Sequence, residues 1–142
     1  EGVDTPQLAL SSVSESSTAT AANYSGSPTT ATDTGLSITL TIPRNATVLL
    51  QLFYEVLVYG SASTDKVTIR IYENSTSTVL TSAIHGASGG IDLQGPGVQI
   101  HLITTSTGSS ITETYKVDAN VASASTSVQV TDQTFIATEL KR

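Results

Sequence analysis

The chain of 142 residues contains no cysteine, no methionine and no tryptophan. Without cysteine there can be no disulfide staple, no thiolate-bound zinc or iron–sulfur cluster and no thiol nucleophile. Charge is scarce too: 12 acidic and 6 basic residues leave a formal net charge of -6, and charged residues are 13% of the chain. The six Lys and Arg are scattered, whereas phosphate binding needs them clustered, so nucleic acid is not an expected partner. No stretch reaches the roughly 18 apolar residues of a membrane helix, and the longest, 48–59, is broken by Gln51 and Glu55, so membrane insertion is not expected either. The chain opens on Glu1 rather than methionine, which suggests trimming or removal of a signal peptide and an extracellular or virion-surface location.

Hydroxyl side chains fill the gap. Twenty Ser and 24 Thr make up nearly a third of the sequence. The length suits a single domain, which at this size buries roughly two thirds of the surface its unfolded form exposes and needs no metal or disulfide to hold a core.

Periodicity points to an all-β chain, because no segment keeps apolar residues at helical spacing and Val, Ile and Thr dominate the periodic regions. Leu36, Ile38, Leu40 and Ile42 alternate with Ser37, Thr39 and Thr41 up to Pro43, as in a half-buried strand. Segment 66–72 alternates likewise, with Val67, Ile69 and Ile71 inward and Lys66, Thr68, Arg70 and Tyr72 outward. Further strands are expected at 79–85, 98–105, 113–121, 125–130 and 134–140, with turns at 60–65, 73–77, 86–90, 95–97 and 108–110. About 8 to 10 short strands at this spacing predict an antiparallel β-sandwich or jelly roll over 36–142. Residues 1–35 read as an extended N-terminal arm with one or two weak strands and a loop at Gly26, Pro28 and Gly35. Leu8, Leu10 and Val13 alternate within the arm as a strand donated to a neighbouring subunit would.

Segment 48–59 carries the functional signal. Val48, Leu50, Leu52, Tyr54, Val56 and Val58 form a core face, but the opposite face, Leu49, Gln51, Phe53, Glu55, Leu57 and Tyr59, is too apolar for water. In a two-layer sandwich that outer face meets solvent unless something covers it, so it marks an interface with another copy or is covered by the arm or a loop of the same chain. Across such an interface Glu55 could pair with Arg70.

Sites for chemistry are sparse. His85 and His101 lie on separate strands and read as surface residues, so no metal site or cofactor is expected. The carboxylates Asp65, Glu73, Asp92, Glu113, Asp118 and Asp132 sit singly near turns without the spacing of a calcium loop. The stretch Gly-Ala-Ser-Gly-Gly at 86–90 lacks the Lys-Ser/Thr of a phosphate loop and reads as a flexible turn. Three of the four asparagines, Asn23, Asn45 and Asn74, begin glycosylation sequons.

The succession LSITLTIPRNATVLLQLFYEVLV, KVTIRIYEN, TYKVDANVAS and TFIATEL resembles the jelly-roll domains of the C1q and tumour necrosis factor superfamily, in the form used by trimeric phage and virus surface proteins. The resemblance spans 36–140 and implies a tight homotrimer acting as a structural, adhesive or receptor-binding module. The residues and the resemblance together predict a non-enzymatic structural subunit, a decoration, spike, fibre head or filament. Its partners would be copies of itself and other virion or cell-surface proteins. The alternative is an adhesion module binding carbohydrate or a receptor, for which Tyr24, Tyr59, Tyr72 and Tyr115 are the available aromatic surfaces.

Overall fold

The computed structural model describes residues 16–60, 65–86, 93–105 and 109–140. The described residues form nine strands: β1 (Ser16–Thr20), β2 (Tyr24–Gly26), β3 (Thr32–Ile42), β4 (Thr47–Tyr59), β5 (Lys66–Glu73), β6 (Thr78–Gly86), β7 (Leu93–Thr104), β8 (Ile111–Val121) and β9 (Ser127–Leu140). They build two antiparallel sheets, one in the order β1-β9-β4-β7 with β2 also on β9, the other β3-β8-β5-β6. The pairings are nested: β5 with β6, β4 with β7, β3 with β8, and the first strands with β9. A long hairpin rolled so that alternate pairs fall in opposite sheets is the double Greek key of a jelly roll. The expected all-β sandwich is therefore the architecture found.

Alternation places the core. Leu36, Ile38, Leu40 and Ile42 of β3, the six even-numbered residues Val48 to Val58 of β4, and Val67, Ile69 and Ile71 of β5 are all buried. The opposing sheets add Tyr115, Val117, Ala119, Val121, Val128, Val130, Phe135 and Ala137. At about 25 cal/mol per Å² this apolar burial is the main stabilising term.

Bulges shift the alternation and explain where the sequence misled. Segments 125–130 and 134–140, expected as two strands, are one strand, β9. Its inward set changes from Val128 and Val130 to Gln133, Phe135 and Ala137 across a bulge opposite Tyr54, with Asp132 at φ 52. One extra residue turns every later side chain to the other face. On β3 a wider irregularity lies between Asp33 and Ser37, and Gly35 there adopts φ 96, so this glycine bends a strand rather than a loop. Gln133 bridges these two bulges. Its Nε2 donates to the carbonyls of Thr34 (3.3 Å) and Ala22 (3.0 Å), and Thr34 Oγ1 donates to its Oε1 at 2.5 Å.

The glycine-rich turn expected at 95–97 lies within β7, where Val56, Glu55 and Tyr54 pair with Gly95, Pro96 and Gly97. The Tyr54 ring covers Gly97, and a Cβ there would stand 2.1 Å from Tyr54 Cζ. Of the arm, residues 16–20 and 24–26 pair with β9 of their own chain, and β3 begins at Thr32. Val121 N donates to Pro28 O at 2.7 Å and fastens the following loop. Leu8, Leu10 and Val13 lie outside the described residues.

Candidate functional site

The outer faces of the two sheets differ in chemistry. On the β3-β8-β5-β6 sheet, threonines bond across strands, Thr39 to Thr114 at 2.8 Å and Thr41 to Thr112 at 3.0 Å. Beside them Arg70 donates through Nε to Asp118 Oδ1 (2.8 Å) and through its terminal nitrogen to Oδ2 (2.6 Å). These residues are directly opposite in register, which suits a forked, charge-assisted pair. The bond to Asp118 holds the Arg70 guanidinium above its usual pKa. Tyr72 donates to Asp33 at 2.5 Å, and its hydroxyl is pushed up to about 12, first by burial and then by that bond. These polar groups satisfy one another, and beside them Ile84 of β6, opposite Thr68, is 67% exposed.

Two expectations are corrected here. Arg70 stands on the sheet opposite the one that carries Glu55 and is engaged by Asp118, so it is not the free cation that the Glu55 pairing supposed. Asp118 is a buried mid-strand carboxylate rather than a solitary one near a turn.

The outer face of the other sheet carries more aliphatic side chains, with Gln51 and Glu55 among them. Cross-strand register sets Leu49 of β4 beside Leu102 of β7, Gln51 beside Ile100 and Phe53 beside Val98. On the other flank of β4, Ile136 of β9 lies opposite Gln51. Val98, Ile100 and Leu102 are 54%, 54% and 55% exposed. Leu49, Phe53, Glu55, Leu57 and Tyr59 are half-buried between the neighbouring strands. Three alternate residues of one strand, each more than half open to water and flanked by Leu49 and Phe53 around Gln51, make an exposed aliphatic cluster of the kind that marks an interaction surface.

The sequence reading placed the β4 residues on this face but missed Val98, Ile100, Leu102 and Ile136. Alternation at 98, 100 and 102 was visible. It did not say which phase turns outward, because Ile103 is apolar in the opposite phase.

The inner side of β7 decides that phase. Gln99 is buried: its Nε2 donates to Tyr54 Oη (3.1 Å) and to the Ile69 carbonyl (2.9 Å), and Thr81 Oγ1 donates to its Oε1. Because the Tyr54 hydroxyl accepts from Gln99, its own proton is directed at His85 Nε2, 2.5 Å away. His85 meets the Tyr54 ring edge-on and its pKa is lowered by burial, so the neutral ring is the form that fits. His101 is also lowered by burial, with Glu73 opposing. Neither histidine is the simple surface residue expected from the sequence. Among the described residues no group of three or more His, Cys, Asp or Glu is placed to hold a metal ion.

Asn23, Asn45 and Asn74 are all exposed, and Asn45 occupies the β3–β4 turn at φ 57. Of the aromatic residues available to a sugar, Tyr115 is withdrawn, being fully buried, while Tyr24, Tyr59 and Tyr72 are half-buried. The Gly-Ala-Ser-Gly-Gly stretch at 86–90 has the spacing of a hydrolase nucleophile elbow, Gly-x-Ser-x-Gly, which needs a strand running into a helix. Here the next described element after β6 is a strand, β7, and residues 87–90 lie outside the described residues.

The described residues form a two-sheet antiparallel sandwich, with paired polar groups on one outer face and a row of exposed aliphatic residues on β7 of the other. No protein-family model matches the chain, and no curated protein matches it. Among solved structures it is similar to dimeric latent PorU from Porphyromonas gingivalis, with TM-score 0.46 and 9% identity over 93% of this chain and 13% of that one. It is similar also to a chain of infectious bursal disease virus, Gt strain, with TM-score 0.43 and 17% identity over 90% of this chain and 32% of that one. A third likeness is to a chain of the cyanophage Pam1 capsid, with TM-score 0.40 and 17% identity over 90% of this chain and 86% of that one. The neighbours thus include viral capsid proteins, and none of these likenesses carries an inference about activity or partners.

Proposed function

We propose that the protein is a non-enzymatic structural subunit of an extracellular or virion-surface assembly, and that copies of it associate through the outer face of β4, β7 and β9. The observation that carries this reading is the exposed aliphatic row of Val98, Ile100 and Leu102 beside Leu49 and Phe53. Covering it with the same face or another apolar face of a second copy removes aliphatic surface from water, and closed symmetric oligomers are the usual outcome. The hydroxyl-rich opposite face and the lack of oxidisable Cys and Met suit an exposed, durable particle. Homotrimer and filament are both compatible forms.

The test is mass in solution. Sedimentation velocity of the full chain should show an oligomer. Phe53→Asp, which would bury an unpaired carboxylate in the contact, should give a smaller species with unchanged far-UV circular dichroism. An unchanged oligomer for Phe53→Asp, or a monomeric parent at all concentrations, would count against the proposal.

A further inference from the structure

Edges of β-sheets expose unpaired backbone N–H and C=O groups, and proteins protect them by shortness, bulges or charge. Among the described residues three of the four edge strands are protected: β1 has 5 residues, β3 carries the Asp33 to Ser37 irregularity, and β6 is bulged against β5 between Ile71 and Tyr72. The fourth, β7, has only Pro96 near one end. It runs for 12 residues, pairs with β4 from Val58 to Thr47 without a register shift, and among the described residues pairs with no other strand. Its sequence, LQGPGVQIHLIT, contains no Lys, Arg, Asp or Glu. Pro96 alone interrupts its supply of donors, close to one end.

We infer that β7 pairs with β7 of a second copy, antiparallel about a two-fold axis at Ile100. This inference rests on the self-association reading and says which strand makes the first contact. The occupant is a second copy for two reasons. In a two-fold contact a charged residue on the axis meets its own copy, and β7 places no Lys, Arg, Asp or Glu there or anywhere along its length. The strand is also self-complementary about one residue. With the axis at Ile100, Ile100 faces its own copy and Val98 faces Leu102 in both directions, so the exposed aliphatic row pairs entirely with itself. An axis at Gln99 would set Leu102 against Pro96, and one at His101 would set Val98 against Thr104. Pairing at Ile100 covers 97–103 and leaves Pro96, which lacks an N–H, just beyond the central run opposite Thr104. The two apolar outer faces would then join into one continuous surface, available for packing further copies.

The chain's lack of cysteine makes the contact easy to read. Ile100→Cys, at an exposed position, should convert under copper-phenanthroline to a disulfide-linked dimer, because directly opposed strand residues lie within disulfide reach. Thr39→Cys, on the outer face of β3, should remain a single chain. A mixture of Val98→Cys and Leu102→Cys should cross-link faster than either variant alone. If the parent is oligomeric in sedimentation yet Ile100→Cys links no faster than Thr39→Cys, the β7 pairing is overturned while self-association stands. A mixture that links no faster than its components overturns the axis at Ile100. A parent that stays monomeric overturns both readings.

Discussion

Replacing Gly97 with alanine tests how β7 is seated on the core. The added Cβ would lie 2.1 Å from Tyr54 Cζ, 2.2 Å from Cε2 and 2.5 Å from the hydroxyl oxygen, where ordinary contact is 3.4–4 Å. The ring must move, yet it is 3% exposed and its hydroxyl is held by His85 at 2.5 Å and Gln99 at 3.1 Å. Overpacking of this kind costs about 1 to 3 kcal/mol. Stranding the buried hydroxyl and the Gln99 amide adds about 1 to 3 kcal/mol. Alanine's better strand propensity returns only about 0.5 to 1 kcal/mol. The net loss is about 3 kcal/mol, or a fall of about 6 to 12 °C in Tm for a chain of this length. Thermal and urea unfolding measure it directly. The cause is isolated by repeating the substitution in a Tyr54→Ala background, where the ring is gone and Gly97→Ala should be neutral or slightly stabilising. An equal cost in both backgrounds would refute the argument that the tyrosine dictates glycine at 97.

Two further outcomes follow from buried polar groups. Tyr115 is fully buried and its hydroxyl has no hydrogen-bond partner among the described residues. Its pKa is pushed up to about 12, chiefly by burial, with Glu73 and Glu113 adding. Tyr115→Phe should therefore raise stability by about 1 kcal/mol in urea unfolding, and a loss would show that the hydroxyl is satisfied after all. His85 and His101 both have pKa values lowered below 6.5 by burial, so the unfolded chain binds their protons first as pH falls. Stability should accordingly be greatest above about 6.5, fall as pH drops below it, and level once the native histidines are protonated. His85→Gln should flatten the slope of Tm against pH in that window, and an identical slope would remove His85 as its source.

The hydrophobic alternation along β3, β4 and β5 was legible in the sequence because a strand puts successive side chains on opposite faces. Residues 36–42, 48–58 and 67–71 therefore announced both strand and core. The apolar outer face of β4 was legible for the same reason, since twelve consecutive positions with few charges leave no face suited to water. Period two names two faces without saying which one meets the core, and on β7 that choice was made by contacts from far along the chain. Tyr54 lies on Gly97, and Gln99 reaches Ile69 and accepts from Thr81. Those contacts turn Val98, Ile100 and Leu102 outward. The continuity of β9 was hidden because its bulge inverts the phase at Asp132, so one strand reads as two. Arg70 found Asp118 rather than Glu55 because the roll of the hairpin places β5 beside β8 in one sheet and β4 in the other. Strand and core were thus written locally in the spacing of side chains, whereas edge, phase and ion pair were decided by which distant strands came to lie side by side.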